Sequence, residues 1–179
     1  MMTGSRKSVG HQIFAIGYST RSIEDFIESL KIHDIDIVID VRSIPKSRHR
    51  PQFNEEELRD TLHSVAIRYR HIKELGGLRH AARSSINTGW INASFRGFAD
   101  YMATDGFQTG LLKLMRIAEK SRAVLMCAEG NPWRCHRSLI ADALTSKNWQ
   151  VFHIQSKISV KLHELTPFLR VRRGKITYP

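Results

Sequence analysis

Cysteine is nearly absent from this chain of 179 residues, which carries only Cys127 and Cys135. A small secreted scaffold stapled by disulfides would carry more, so that class is excluded and both thiols are expected reduced in a cytoplasmic protein. Long apolar runs are also missing. None approaches the roughly 18 residues that cross a bilayer, so no membrane partner is expected. Residues 1–11 are basic, contain Ser and Gly, and lack the apolar stretch of a secretory signal. They are expected to be a disordered lead. Acidic residues are scarce: 17 Asp and Glu stand against 28 Lys and Arg, a formal charge of +11. That imbalance favours an anionic partner, a nucleotide or nucleic acid, over a merely solvated basic surface. There is no internal repeat and no low-complexity linker. Residues 12–179 are therefore expected to form a single α/β domain with a substantial core.

What is present alternates between two periodicities. Ile13–Ile16 reads as a short strand ended by Gly17, and Ser22–Ile32 as a helix with Ile23, Phe26, Ile27 and Leu30 on one face. Ile35–Val41 is a β-branched run suited to a strand covered on both sides. Asn54 is expected to cap a helix over Glu55–Val65, whose first turn is acidic as the helix dipole prefers. Ile67–Ile72 reads as a third strand, Ser94–Ala103 and Gly106–Lys120 as helices, and Ala123–Cys127 as a fourth strand. A helix over Pro132–Lys147, capped by Asn131, and a strand over Trp149–Ile154 follow. Strands alternating with helices imply parallel pairing and right-handed crossovers. The expected architecture is a three-layer α/β sandwich with a mostly parallel central sheet. The tail, Leu169–Tyr178, reads as a short β-hairpin turning at Arg173-Gly174 that covers an edge or adds to the sheet.

In open parallel sheets, ligands bind beyond the carboxyl ends of the strands. The polar segments that follow the first four strands here would crowd one rim: Gly17 to Thr20, Asp40 to Arg50, Lys73 to Gly77, and Cys127 to Ser138. The last of these places two Cys, a Glu, a His and two Arg between a buried strand and a helix N-terminus, where backbone N–H groups and the dipole favour anions. Cys127 is the candidate nucleophile, activated there by a lowered pKa. Glu129 and Asp40 are candidate acid or base groups, although Asp40 inside an apolar strand needs a partner such as an Arg. Arg42, Ser43, Tyr18, Ser19, Arg134, His136 and Arg137 are the candidates for holding substrate or phosphate. The spacing Cys127-x6-Arg134 is one residue longer than the cradle of cysteine phosphatases and rhodaneses. It also includes a Pro and a carboxylate, so phosphoryl transfer to the thiol is disfavoured. Zinc is disfavoured too, because Cys127-x7-Cys135-His136 matches no standard ligand spacing. No metal and no cofactor is expected. Two further basic clusters, around Arg48 and Arg50 and at Arg170, Arg172, Arg173 and Lys175, suit a phosphate backbone or a solvated surface.

Taken together, these segments resemble the DUF488 family, a group of small prokaryotic proteins named for unknown function. The resemblance rests on Ala15-Ile16-Gly17-Tyr18-Ser19-Thr20, Asp40-Val41-Arg42-Ser43-Ile44-Pro45, Leu75-Gly76-Gly77, Phe98-Ala99-Asp100-Tyr101-Met102, and Met126-Cys127-Ala128-Glu129 leading to Cys135-His136-Arg137. The closing Leu165-Thr166-Pro167-Phe168 and Ile176-Thr177-Tyr178-Pro179 fit as well. One departure is Tyr18, where many members have His. The resemblance implies a single α/β domain and supports the motif loops as the site, but it supplies no reaction.

The residues themselves favour an enzyme acting on a phosphate-bearing substrate, a nucleotide or nucleic acid, at the carboxyl ends of the strands. The alternative is a nucleic-acid-binding module without catalysis, for which surface charge alone suffices. A thiol redox sensor is a third reading, should Cys127 and Cys135 approach across their loop. The oligomeric state is not legible.

Overall fold

Three segments, Gln12–Gly17 (β1), Ile37–Asp40 (β2) and Ala123–Cys127 (β4), are buried almost throughout, as apolar strands flanked by parallel neighbours must be. They are the centre of a six-stranded sheet completed by Arg68–His71 (β3), Gln150–Ile154 (β5) and Val160–Leu162 (β6), in the order β3-β2-β4-β1-β5-β6. The first five strands run parallel, and β6 pairs antiparallel to β5. The computed structural model describes residues 10–179. Of the expected disordered lead, positions 1–9 lie outside the described residues, while His11 stacks on Trp149 with ring centroids 4.7 Å apart.

Helices cover both faces, giving the three layers that the alternating pattern implies. On one face Ile23–Ile32 (α1) and Glu55–Ser64 (α2) bury Phe26, Leu30, Leu58 and Leu62 against Ile16, Val38 and Met126. On the other, Ala93–Tyr101 (α3), Asp105–Ala118 (α4) and Arg137–Thr145 (α5) bury Phe98, Leu111 and Leu139 against Ile39 and Leu125. Ser22 caps α1 through its side chain. Asn54 does not cap α2: its Oδ1 accepts from Ser47 N–H instead and ties down the preceding loop.

Two further differences matter for function. Residues 132–147 are not one helix. A 3-10 turn, Pro132–Arg134, is followed by extended Cys135, and α5 starts only at Arg137. The tail hairpin forms, with Arg170–Arg172 (β7) paired to Lys175–Thr177 (β8) across a turn in which Arg173 and Gly174 both have positive φ. It stands as a separate two-stranded ribbon and does not join the sheet. The sheet edge is covered by β6, whose three exposed residues carry no alternating pattern to reveal them.

The topology sets where loops converge. From the carboxyl end of β1 the chain leaves through α1 toward β2, and from that of β4 it leaves through α5 toward β5, on the opposite face. The loops therefore part above the adjacent ends of β1 and β4. Behind α5, Asp142 is fully buried. It accepts hydrogen bonds from His163 Nε2, from Thr166 N–H and hydroxyl, and from the Tyr178 hydroxyl. Asp142→Ala leaves these buried donors without an acceptor, and is expected to destabilise the fold by about 3–5 kcal/mol in chemical denaturation.

Candidate active site

The polar segments after β1, β2, β3 and β4, joined by the start of α3, enclose one open pocket of about 360 Å³ at the carboxyl edge of the sheet. Tyr18, Arg42, Ser43, Cys127, Glu129, Arg134 and His136, all singled out from the sequence, line it together with Lys46, Gly77, Phe95 and Cys135. Close backbone approach holds the loops in place. A Cβ on Gly17 would lie 1.9 Å from the Glu129 carbonyl oxygen, and one on Gly77 would lie 2.5 Å from His136 Nδ1.

The floor is made of two cysteines. Cys127 ends β4 and Cys135 sits in the extended step before α5, 3% and 5% exposed, with their sulfurs 2.6 Å apart. Under them lies Arg137, 1% exposed. Its Nη2 donates to the Glu129 backbone carbonyl at 2.6 Å, and among the described residues no carboxylate pairs with it. A buried guanidinium stays charged and must be neutralised where it stands. The sulfurs are the groups that do so. Burial pushes both thiols up. For Cys135 the hydrogen bond from Cys127, the adjacent His136 and the charge of Arg137 outweigh burial and hold it well below the ordinary thiol value of 9.0. Cys127 moves the other way, because burial and the neighbouring sulfur anion raise it. For Arg137 burial works against the charge, and the two sulfurs more than offset it. The two sulfurs therefore differ in character, with Cys135 favoured as the thiolate and Cys127 as the thiol.

Cys135 Sγ also accepts the Arg137 backbone N–H at 3.5 Å, so the sulfur occupies the N-terminus of α5. Four N–H groups of the loop are spent within it. Asn131 N–H goes to Glu129 Oε1, Trp133 N–H to Asn131 Oδ1, Arg134 N–H to the Asn131 carbonyl and Cys135 N–H to that of Pro132. The expected anion site at a helix start after Pro132 is therefore replaced by a closed turn. Asn131 caps that 3-10 turn and not the helix.

His136 stands beside the pair. Its Nε2–H donates to the Val41 carbonyl at 2.9 Å, and Nδ1 lies 3.7 Å from Cys135 Sγ. A thiol, an imidazole and a carbonyl that orients it are the kinds of group that covalent catalysis uses as nucleophile, base and orienter. Asp40 is fully buried and forms a two-pronged ion pair with Arg42, which also donates to the Phe53 carbonyl. Burial disfavours the Arg42 charge, and Asp40 more than restores it. Tyr69 also donates its hydroxyl to Asp40. Of the Arg42 nitrogens only Nη1 has no partner among the described residues, and at the floor Arg137 Nε has none either.

The other sequence candidates are placed as follows. Ser43 Oγ accepts Leu78 N–H, tying two loops together. Ser19 has a positive φ of 39° and donates its backbone N–H to the Ala128 carbonyl. Tyr18 stacks on Phe53 at 4.2 Å. Glu129 and Arg134 are exposed at the mouth, whereas Arg137 faces inward. Sequence reasoning missed the apolar wall, made of Ile44, Leu78 and Phe95. Ile44 and Leu78 are 62% and 72% exposed, and their signal was an aliphatic side chain stranded in each of two polar loops.

These features define an α/β protein whose carboxyl-edge loops converge on a thiol-floored pocket. The family model described as Domain of unknown function DUF488 matches residues 22–144, well over half of the chain, and the protein belongs to that family. The match spans the Asp40, Gly76-Gly77 and Cys127 to Arg137 segments, while Ala15 to Thr20 and the closing residues lie outside it. No curated protein and no solved structure matches the chain.

A pair that loses its first proton early and its second late has a defined effect on stability. Between the lowered Cys135 value and 9 the unfolded chain binds more protons than the folded one, so stability rises with pH; above 9 the order reverses and it falls. Relative to Cys135→Ser, which keeps the buried Cys127, the wild-type unfolding free energy is expected to rise with pH up to about 9 and to level off above it. A flat difference between pH 6 and 10 would show that Cys135 is not held as the thiolate.

Proposed function

We propose that the protein is an enzyme that uses the Cys135 thiolate as a nucleophile on a phosphate-bearing substrate, a nucleotide or a nucleic acid, at the carboxyl ends of the strands. The observation that carries this reading is a pair of sulfurs lining the pocket beside the buried, carboxylate-free Arg137, whose charge they favour. A cation of this kind keeps a thiol ionised at neutral pH inside a pocket, which folding alone does not require.

The roles follow from the contacts. The Cys135 sulfur attacks an electrophilic centre of the substrate. Cys127 shares the remaining proton and supplies it as charge builds on the leaving side. His136, held by Val41, accepts a proton from the water or second substrate that releases the covalent intermediate. Attack at carbon is favoured over attack at phosphorus, since phosphoryl transfer needs a ring of free N–H donors around the sulfur and those of Asn131, Trp133, Arg134 and Cys135 are engaged within the loop. Lys46 and Arg134, exposed at the mouth, suit the substrate's phosphate. Ile44, Leu78 and Phe95 suit a flat, partly apolar group such as a base. Asp40 acts through Arg42, fixing its one unpartnered donor over the pocket.

The alternative, a nucleic-acid-binding module, is favoured by the exposed hairpin with Arg170, Arg172, Arg173 and Lys175. A thermal-shift panel of inorganic phosphate, mononucleotides, dinucleotides and short DNA and RNA at two salt concentrations separates the two. For the enzyme, a small ligand is expected to raise Tm with little salt dependence, and Arg134→Ala is expected to weaken its binding about tenfold. Shifts with polymers only, fading with salt and equal in both proteins, would sink the pocket reading.

A further inference from the structure

The geometry points to a second chemistry for the same two sulfurs: Cys127 and Cys135 form a reversible intramolecular disulfide, driven by hydroperoxide and undone by a dithiol, that releases the start of α5. This stands whether or not the pocket turns over a substrate, because its readout is the oxidation state of sulfur.

Three observations carry it. The sulfurs are already 2.6 Å apart across an eight-residue step, so a bond between them needs little approach. Although they are 3% and 5% exposed, both line the open pocket, the side from which a small oxidant would approach. Finally, the attacking and resolving roles are already divided. Cys135 accepts the Arg137 N–H and faces His136 Nδ1, while Cys127 makes its closest polar contacts with Cys135 and the Glu129 carbonyl.

The steps balance. The Cys135 thiolate attacks one oxygen of a hydroperoxide, the O–O bond breaks, and an alcohol or water leaves after taking up a proton. Cys135 is then a sulfenic acid. Cys127 sulfur attacks Cys135 sulfur, the S–O bond breaks, and the departing hydroxide takes the Cys127 proton and leaves as water. Two thiols have been oxidised by two electrons and one peroxide reduced. An external dithiol reverses the bond by exchange.

The consequence sets this pair apart from a structural disulfide. Closing the bond discharges the anion on which Arg137 depends, leaving a guanidinium 1% exposed with no counter-charge. The loop that is closed is short, so the chain-entropy gain is less than for a long loop and is opposed by the uncompensated buried charge. Oxidation should therefore loosen the Pro132 to Arg137 segment, whereas a structural disulfide would tighten it.

The test treats reduced full-length protein with equimolar hydrogen peroxide near pH 7, then measures intact mass, free thiols under denaturing conditions, and Tm. The wild type is expected to lose about 2 Da and both thiols while staying a single chain on non-reducing gels, and to recover both with dithiothreitol. Its Tm is expected to fall by about 5 °C on oxidation and to return on reduction. Cys127→Ser is expected to give a sulfenic acid, about 16 Da heavier and trapped by dimedone, and Cys135→Ser to keep its remaining thiol under the same dose. Should the variants fail to fold, the wild-type mass and Tm still decide. Retention of both thiols while a glutathione control is consumed, or bonds only between chains, would overturn the disulfide. A Tm that rises on oxidation would overturn the release of α5.

Discussion

A guanidinium with 1% of its surface exposed cannot shed its proton and cannot be left alone, and Arg137 has no carboxylate beside it among the described residues. Much of the local structure follows from how that charge is met. It requires sulfur on the end of β4 and sulfur on the residue before α5, close enough to hydrogen-bond. It requires the backbone between them to turn back sharply, which the Asn131-capped 3-10 turn achieves. It also requires Cys135 to leave the helical path, since a continuous helix would swing its side chain about 100° away from the neighbouring position. The late start of α5 is thus the geometry that brings the anion to the cation.

The pocket floor then contains two neutralised pairs, Asp40 with Arg42 and the sulfur pair with Arg137. Neither offers a free full charge to a ligand. The excess of basic residues is expressed instead at the mouth and on the tail hairpin, where Lys46, Arg134, Arg172 and Arg173 are exposed. Such a division suits a substrate whose anionic group stays near water and whose uncharged part enters. A phosphate drawn to the floor would have to compete with partners that are already in contact.

The layers, the parallel order and the convergence of four loops were legible because each rests on a local signal. Ile35–Val41 and Ala123–Cys127 are apolar enough to require cover on both faces, and the polar segments after them stand out against it. The helix after Pro132 was misread because Asn-Pro is a sound helix start in isolation. What overrides it is a contact across the sheet, between Cys135 and Cys127, that no spacing rule encodes. Asn54 was misread for a related reason: its oxygen serves Ser47 in the preceding loop. Arg137 was read as a phosphate ligand since it falls beside Arg134, and only burial separates an inward guanidinium from an outward one. The apolar wall escaped because single aliphatic residues in loops are common and carry weight only when two of them face one cavity.

The position of Arg137 depends in turn on elements far from the pocket in sequence. It lies in the first turn of α5, and Asp142 lies five residues further along the same helix. Asp142 takes hydrogen bonds from His163, Thr166 and Tyr178, and His163 continues the chain to His153 on β5 at 2.9 Å. Burial holds His153 neutral, with its value pushed down to about 3. His163, Thr166 and Tyr178 all lie beyond the span matched by the family model. The tail therefore has a physical task that its short, exposed strands do not advertise. It clamps the back of α5, and a helix clamped at Asp142 cannot slide or rotate to carry the guanidinium away from the sulfurs.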